Sequence, residues 1–92
     1  MPAVFGFPDD AAWNEERRAV EFGVELGEYR GRVYVPRTVF QALIPAPEPA
    51  ACIAAFHLDR ARFERAVEAK IRRRELAPDG NVELSLRDLK AA

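Results

Sequence analysis

Residues 19–26 alternate without a break: Val20, Phe22, Val24 and Leu26 fall on one side, Glu21, Gly23 and Glu25 on the other. A period of two built from β-branched and aromatic residues marks a strand with one packed and one wet face. Gly27-Glu28-Tyr29-Arg30-Gly31 reads as a glycine-bracketed turn. Arg32-Val33-Tyr34-Val35 then returns with Val33 and Val35 on the packed side. Pro36 ends this second strand, because proline cannot donate to a central ladder. The β-hairpin constrains the rest of the chain. Its apolar face must be covered, and 92 residues leave room for a single core.

Helices must supply the cover. Residues 37–44 put Val39, Phe40, Leu43 and Ile44 on one side of a short helix. Pro45-Ala46-Pro47-Glu48-Pro49 is a stiff connector, with Pro49 suited to the first turn of the next helix. Residues 50–76 read as one long helix, on which Cys52, Ile53, Phe56, Phe63, Val67 and Ile71 fall within a stripe of about 100°. At 1.5 Å per residue it would run ~40 Å, so its end at Lys70–Arg74 is expected to project past the core. Pro78-Asp79-Gly80-Asn81 makes a turn, and Val82, Leu84 and Leu86 alternate as a last strand free to join either edge.

Before the hairpin, residues 4–7 read as a short strand or extended arm, and Asp10 as the N-cap of a short helix carrying Trp13. Arg87–Lys90 reads as a frayed terminal turn. The expected fold is a single small α+β domain over residues 1–92. It is two-layered, with a mainly antiparallel three-stranded sheet, in the order short helix, β-hairpin, short helix, long helix, strand.

Composition removes several classes of function. There is no run of ~18 apolar residues to span a membrane. Met1–Gly6 lacks the basic and apolar parts of a secretory signal, and the lone Cys52 allows no internal disulfide, so a cytoplasmic protein is expected. One histidine and one cysteine do not make a four-ligand zinc site. No P-loop or GxGxxG is present, and no cofactor is implied. The 14 basic residues are 12 Arg and 2 Lys, and arginine suits phosphate. A pI near 5.8 nonetheless sits far below the ~9 usual for nucleic-acid-binding domains. Charge is uneven: residues 1–30 carry 7 acids and 3 bases, and residues 58–76 carry 7 bases and 4 acids. The simpler reading of the second region is a solvated helix face; the other is attraction between the two regions, within one fold or between two copies.

An ordered set of residues carries a resemblance. Phe7-Pro8-Asp9, Trp13-Asn14 and Ala19-Val20-Glu21-Phe22 come first; Val33, Val35 and Leu43 follow the turn. Phe56, Arg60, Phe63, Ala66 and Ile71 mark the long helix, and Asp79-Gly80-Asn81-Val82 precedes the last strand. Over about residues 5–90 the chain resembles a domain-of-unknown-function family of short proteobacterial proteins. The resemblance implies a small α+β fold with a hairpin, two helices and a strand, and no known activity, substrate or partner. The chain departs from that pattern in a longer hairpin turn, Gly27 to Gly31. It also has Tyr34 where relatives often carry cysteine, so any metal or redox role of that cysteine would be missing here.

The candidate residues each have a structural reading beside the functional one. Arg60 falls inside the apolar stripe, and a lone buried charge needs a partner. It is either an anion-binding group at the helix–sheet seam or a structural one, held by Glu64, Asp9, Asp10 or Glu16 or clamped on carbonyls of the preceding loop. Trp13 is an exposed stacking group or the closure of one end of the core. His57 is a lone general base or a boundary residue. Cys52 has no adjacent base and reads as a small core residue. Ser85 lacks the glycines of a nucleophile elbow. Lys70, Arg72, Arg73 and Arg74 are the candidate phosphate contacts, although Glu68 and Glu75 flank them and cations favour a helix C-terminus in any case. The expected function is a small soluble protein without catalysis that binds another protein or a second copy of itself, through the hairpin edge or outer sheet face. The alternative is a nucleic-acid accessory protein using the basic end of the long helix.

Overall fold

A computed structural model describes residues 4–91. The hairpin is β3 (Ala19–Leu26) and β4 (Tyr29–Pro36), antiparallel over their whole length. Leu26 faces Tyr29, so the turn is only Gly27-Glu28, with Gly27 at φ +61°. A two-residue hairpin needs a positive φ at its first position, and glycine supplies it without strain. The expected long turn is therefore incorrect. Gly31 belongs to the strand, where its missing side chain makes room for the Tyr29 ring. The Tyr29 hydroxyl donates to the Gly80 carbonyl at 2.6 Å.

The sheet is wider than three strands. β1 (Phe5–Gly6) and β2 (Ala12–Asn14) both pair antiparallel with the outer edge of β3, at its two ends. The last strand, β5 (Val82–Glu83), joins β4 in parallel, with Val33 opposite Val82. Both edges of the hairpin are thus occupied. The short helix expected at Asp10 is β2 instead. Trp13 faces Val20 across the pair and packs against the core, which a helix starting at Asp10 would not allow. The acids that imitate a helix N-terminus belong to the turn at residues 15–18.

Four helices follow β4. They are α1 (Arg37–Gln41), α2 (Pro49–Leu58), α3 (Arg60–Arg72) and α4 (Leu86–Ala91). The expected long helix is broken at Asp59, where φ and ψ are −125° and 32°. A straight ~40 Å rod would leave a twisted sheet at one end. The break lets Cys52 and Phe56 of α2, and Phe63, Ala66 and Val67 of α3, all reach one core. Phe22 of β3 meets Phe56 at 4.6 Å between ring centroids, Phe56 meets Phe63 at 5.4 Å, and Phe63 meets Phe40 of α1 at 5.8 Å. Val20, Val24, Val33 and Val35 complete the floor.

The C-terminus also differs from expectation. β5 stops after two residues, and Leu86 starts α4 rather than ending a strand. Ser85 Oγ accepts the Asp88 N–H at 3.2 Å, and Asp88 Oδ2 accepts the Ser85 N–H at 2.8 Å. This reciprocal capping box makes the segment a helix with buried Leu89, not a frayed turn. The end of α3 does not project freely, because Lys70 bonds to the Glu83 carbonyl and to Asp88.

Candidate functional site

The period of two in β3 and β4 sends Glu21, Glu25, Arg30, Arg32 and Tyr34 to the side away from the helices. No residue of α1–α4 hydrogen-bonds to them among the described residues. Arg32 lies opposite Gly23. A Cβ at Gly23 would stand 2.9 Å from Arg32 Nη1 and 3.2 Å from Asp10 Oδ2. Glycine therefore lets the guanidinium cross β3 to the loop beyond. Arg32 Nε donates to Glu21 at 2.7 Å and Nη1 to Asp10 at 2.7 Å. The other Asp10 oxygen accepts the Gly23 N–H at 2.9 Å, filling the edge of β3 between β1 and β2.

The array extends to both sides. The Asn14 amide donates to Glu21 at 2.8 Å, and Asn81 Oδ1 accepts the Arg32 N–H at 3.0 Å. Arg17 stands 3.9 Å above the Tyr34 ring and 3.6 Å from Asp79, and Arg30 lies 3.6 Å from Glu25. Burial pushes the Asp10 carboxyl up, but the Arg32 guanidinium and the Gly23 N–H outweigh it and hold the group below its ordinary range. For Glu21 the Asn14 amide is the main cause of a lowered value, with Arg32 adding to it against burial. Both shifts favour the charged form of the acid. Charge-assisted bonds of this kind are short and directional, and they fix the Arg32 guanidinium in place on the open face. The shallow hollow over it, about 260 Å³, is lined by Pro8, Asp10, Glu25, Arg30 and Arg32. That is smaller than ordinary ligand pockets of ~300–1,000 Å³.

A larger open groove of about 710 Å³ runs on the opposite edge, between Thr38, Lys70, Leu76, Leu84 and Ser85. Its polar centre is already engaged. Lys70 Nζ sits 2.7 Å from Asp88, and both side chains are largely shielded. Burial raises the Asp88 carboxyl, while Lys70 and the Ser85 N–H and hydroxyl lower it more, for a net lowered value.

The residues singled out from sequence scatter. Arg60 donates to Glu64 at 2.7 Å, to Asp9 at 3.1 Å and to the Phe7 carbonyl at 3.2 Å. It pins the N-terminal segment to α3, and the acidic and basic regions meet there within one chain. Glu64, then Asp9, raises its already high pKa against burial. His57 is exposed on the last turn of α2, edge-on to Phe56 at 5.3 Å. The Trp13 indole N–H donates to Glu15 at 2.8 Å. No hydrogen bond or ion pair joins Arg60, His57 and Trp13 among the described residues. The four candidate phosphate contacts diverge as well. Lys70 and Arg73 turn to Asp88, with Arg73 also on Glu75 at 3.0 Å. Arg72 lies above the Phe5 ring at 5.3 Å, and Arg74 follows the helix with φ +59°. Cys52 is fully buried, and burial pushes its thiol up. Among the described residues no three His, Cys, Asp or Glu side chains gather as a metal site, and no helix is long and apolar enough to cross a membrane.

The profile of DUF1488, proteins of unknown function, matches residues 6–84. The chain belongs to the DUF1488 family. A crystal structure of a DUF1488-family protein of unknown function from Shewanella loihica PV-4 is similar to it, with a TM-score of 0.82 at 16% identity over 91% of this chain and 94% of that one. At that identity the likeness concerns the fold. No curated protein matches the chain. The resemblance carried by Phe7-Pro8-Asp9 through Val82 thus points to the right kind of family. The Asp10–Arg32–Glu21 array escapes a reading of sequence because it depends on hairpin register. A five-residue turn would not place Arg32 opposite Gly23.

Proposed function

We propose that this DUF1488 chain is a non-enzymatic binding module of the cytoplasm, and that it engages another protein chain across the outer face of the β3–β4 hairpin. The observation that carries the reading is the Asp10–Arg32–Glu21 lattice on the face the helices leave open. A face built of fixed, half-exposed ion pairs favours a partner of complementary charge, and it gives register more than raw affinity. The edge route loses support, since β1, β2 and β5 occupy both hairpin edges. Against the nucleic-acid alternative stands the internal use of Lys70 and Arg73 by Asp88. The unpaired, buried Cys52 fits a reducing compartment.

The test is a photo-crosslinking residue placed at Arg30 on the open face, and separately at Ala61 on α3, in the native cell. A discrete protein adduct from position 30 that is absent from position 61 supports the proposal. Equal adducts from both positions, adducts to nucleic acid, or none from position 30 overturn it.

A further inference from the structure

We infer that residues 4–14 form an exchangeable strap, and that the β3 edge beneath it accepts the same strap from a second copy of the chain. This does not rest on the outer-face reading; it rests on the hinge and on what the strap covers. The hinge is the turn at residues 15–18, which joins β2 to β3. Within it Arg18 adopts φ +49°, a left-handed conformation that residues with a Cβ avoid. Asn14 Oδ1 closes this turn on the Arg17 N–H at 2.9 Å. If the strap swings out so that β2 runs on toward β3, Arg18 returns to extended backbone. Short strained hinges of this kind favour exchange between copies.

The strap is lightly held but specific. Its strands are two and three residues long. Its ion pairs are open to water: Asp9 is 84% exposed where it meets Arg60, and Asp10 is 38% exposed where it meets Arg32. Yet Phe5, Phe7 and Trp13 pack against the core, with Phe7 at 6.4 Å from Phe22. A released strap exposes three aromatic rings and uncovers the apolar surface they leave behind. The surface that fits those rings, the Asp9 and Asp10 carboxylates and the register of β1 and β2 is the one on another copy. There the strap rebuilds the same pairing, the same ring packing and the same ion pairs, and only the hinge changes. Four hinge residues reach roughly 13 Å when extended, enough to connect two adjacent bodies.

A Cβ built at Gly6 stands 3.8 Å from the Glu25 Cβ, the spacing typical of a disulfide. The Gly6→Cys/Glu25→Cys pair in a Cys52→Ala background therefore reports which chain supplies β1. Protein is equilibrated across a concentration series, oxidised and run without reductant, with Gly6→Cys alone as control. Exchange predicts a covalent dimer that grows with concentration, rises at least twofold with Arg18→Val and falls at least twofold with Arg18→Gly, while the single-cysteine control stays monomeric. An intrachain disulfide alone at every concentration, in Arg18→Val as well, overturns the proposal. Dimers seen by light scattering with only intrachain disulfides also overturn it, and would assign association to another surface. If the cysteine pair fails to fold, the unmodified chain and Arg18→Gly are compared by light scattering. A slowly dissociating dimer that Arg18→Gly weakens supports exchange, and equal behaviour contradicts it.

Discussion

The two sheet edges are closed in different ways. On the β3 side the closure is a strap of short strands, tied by ion pairs whose acids are more open to water, Asp9 at 84% and Asp10 at 38% exposure. On the β4 side it is β5 and α4, tied by Lys70 and Asp88 at 18% and 11% exposure, with Leu84 and Leu89 buried beneath. The bonds have similar lengths, but their surroundings differ. Charge pairs in water contribute little, whereas a shielded pair joined to a helix cap and two leucines resists opening. The N-terminal edge is therefore the one that yields first.

Substitutions test how far that difference extends. Phe63→Ala removes the ring packed between Phe40 and Phe56 in the common core that both closures cover. It is expected to cost about 3–5 kcal/mol, read as a shared loss in denaturant midpoint. Asp88→Ala removes the Asp88 half of the α4 capping box, leaving the bond from the residue-88 N–H to Ser85 Oγ, and leaves Lys70 without its acid. About 2 kcal/mol is expected, with protease sensitivity confined to the C-terminal segment; nicking in the N-terminal segment would erase the distinction. Arg60→Ala loses the strap clamp and its packing on Phe56, for about 1 kcal/mol, and Arg60→Met recovers part of it. Equal midpoints for wild type and Arg60→Ala would remove Arg60 from the account.

Acid gives the smallest contrast. Asp10, Glu21 and Asp88 are all lowered in the folded chain. The unfolded chain then takes up protons at higher pH than the folded one. Stability from these groups is complete above their ordinary values of 3.8 and 4.5, and it is lost as pH falls through the folded values. Asp88→Asn is expected to flatten the decline of stability below pH ~5. An unchanged slope would mean that Asp88 contributes nothing to it.

Much of this is legible in the sequence. Eight alternating residues in β3 and the apolar spacing of Phe56, Phe63 and Val67 identify the sheet and its cover. Period alone gives no length for a turn, and the Gly27–Gly31 pair invites one too long, hiding the Arg32–Gly23 crossing. Asp59 breaks the long helix without disturbing the apolar stripe, so side-chain pattern cannot reveal it. Ser85-Leu86-Arg87-Asp88 is a capping signal present in the sequence, masked by the alternation of Val82, Leu84 and Leu86. Glu64 is within reach as the i+4 partner of Arg60, whereas Lys70–Asp88 joins elements whose positions only the fold determines.

Native-state hydrogen exchange compares the two closures most directly. Amides of residues 5–14, and those of β3 bonded to them, are expected to exchange through a partial opening at lower free energy than residues 82–91. The gap should narrow in Asp88→Ala. Equal protection of both segments up to the global unfolding free energy would contradict the account.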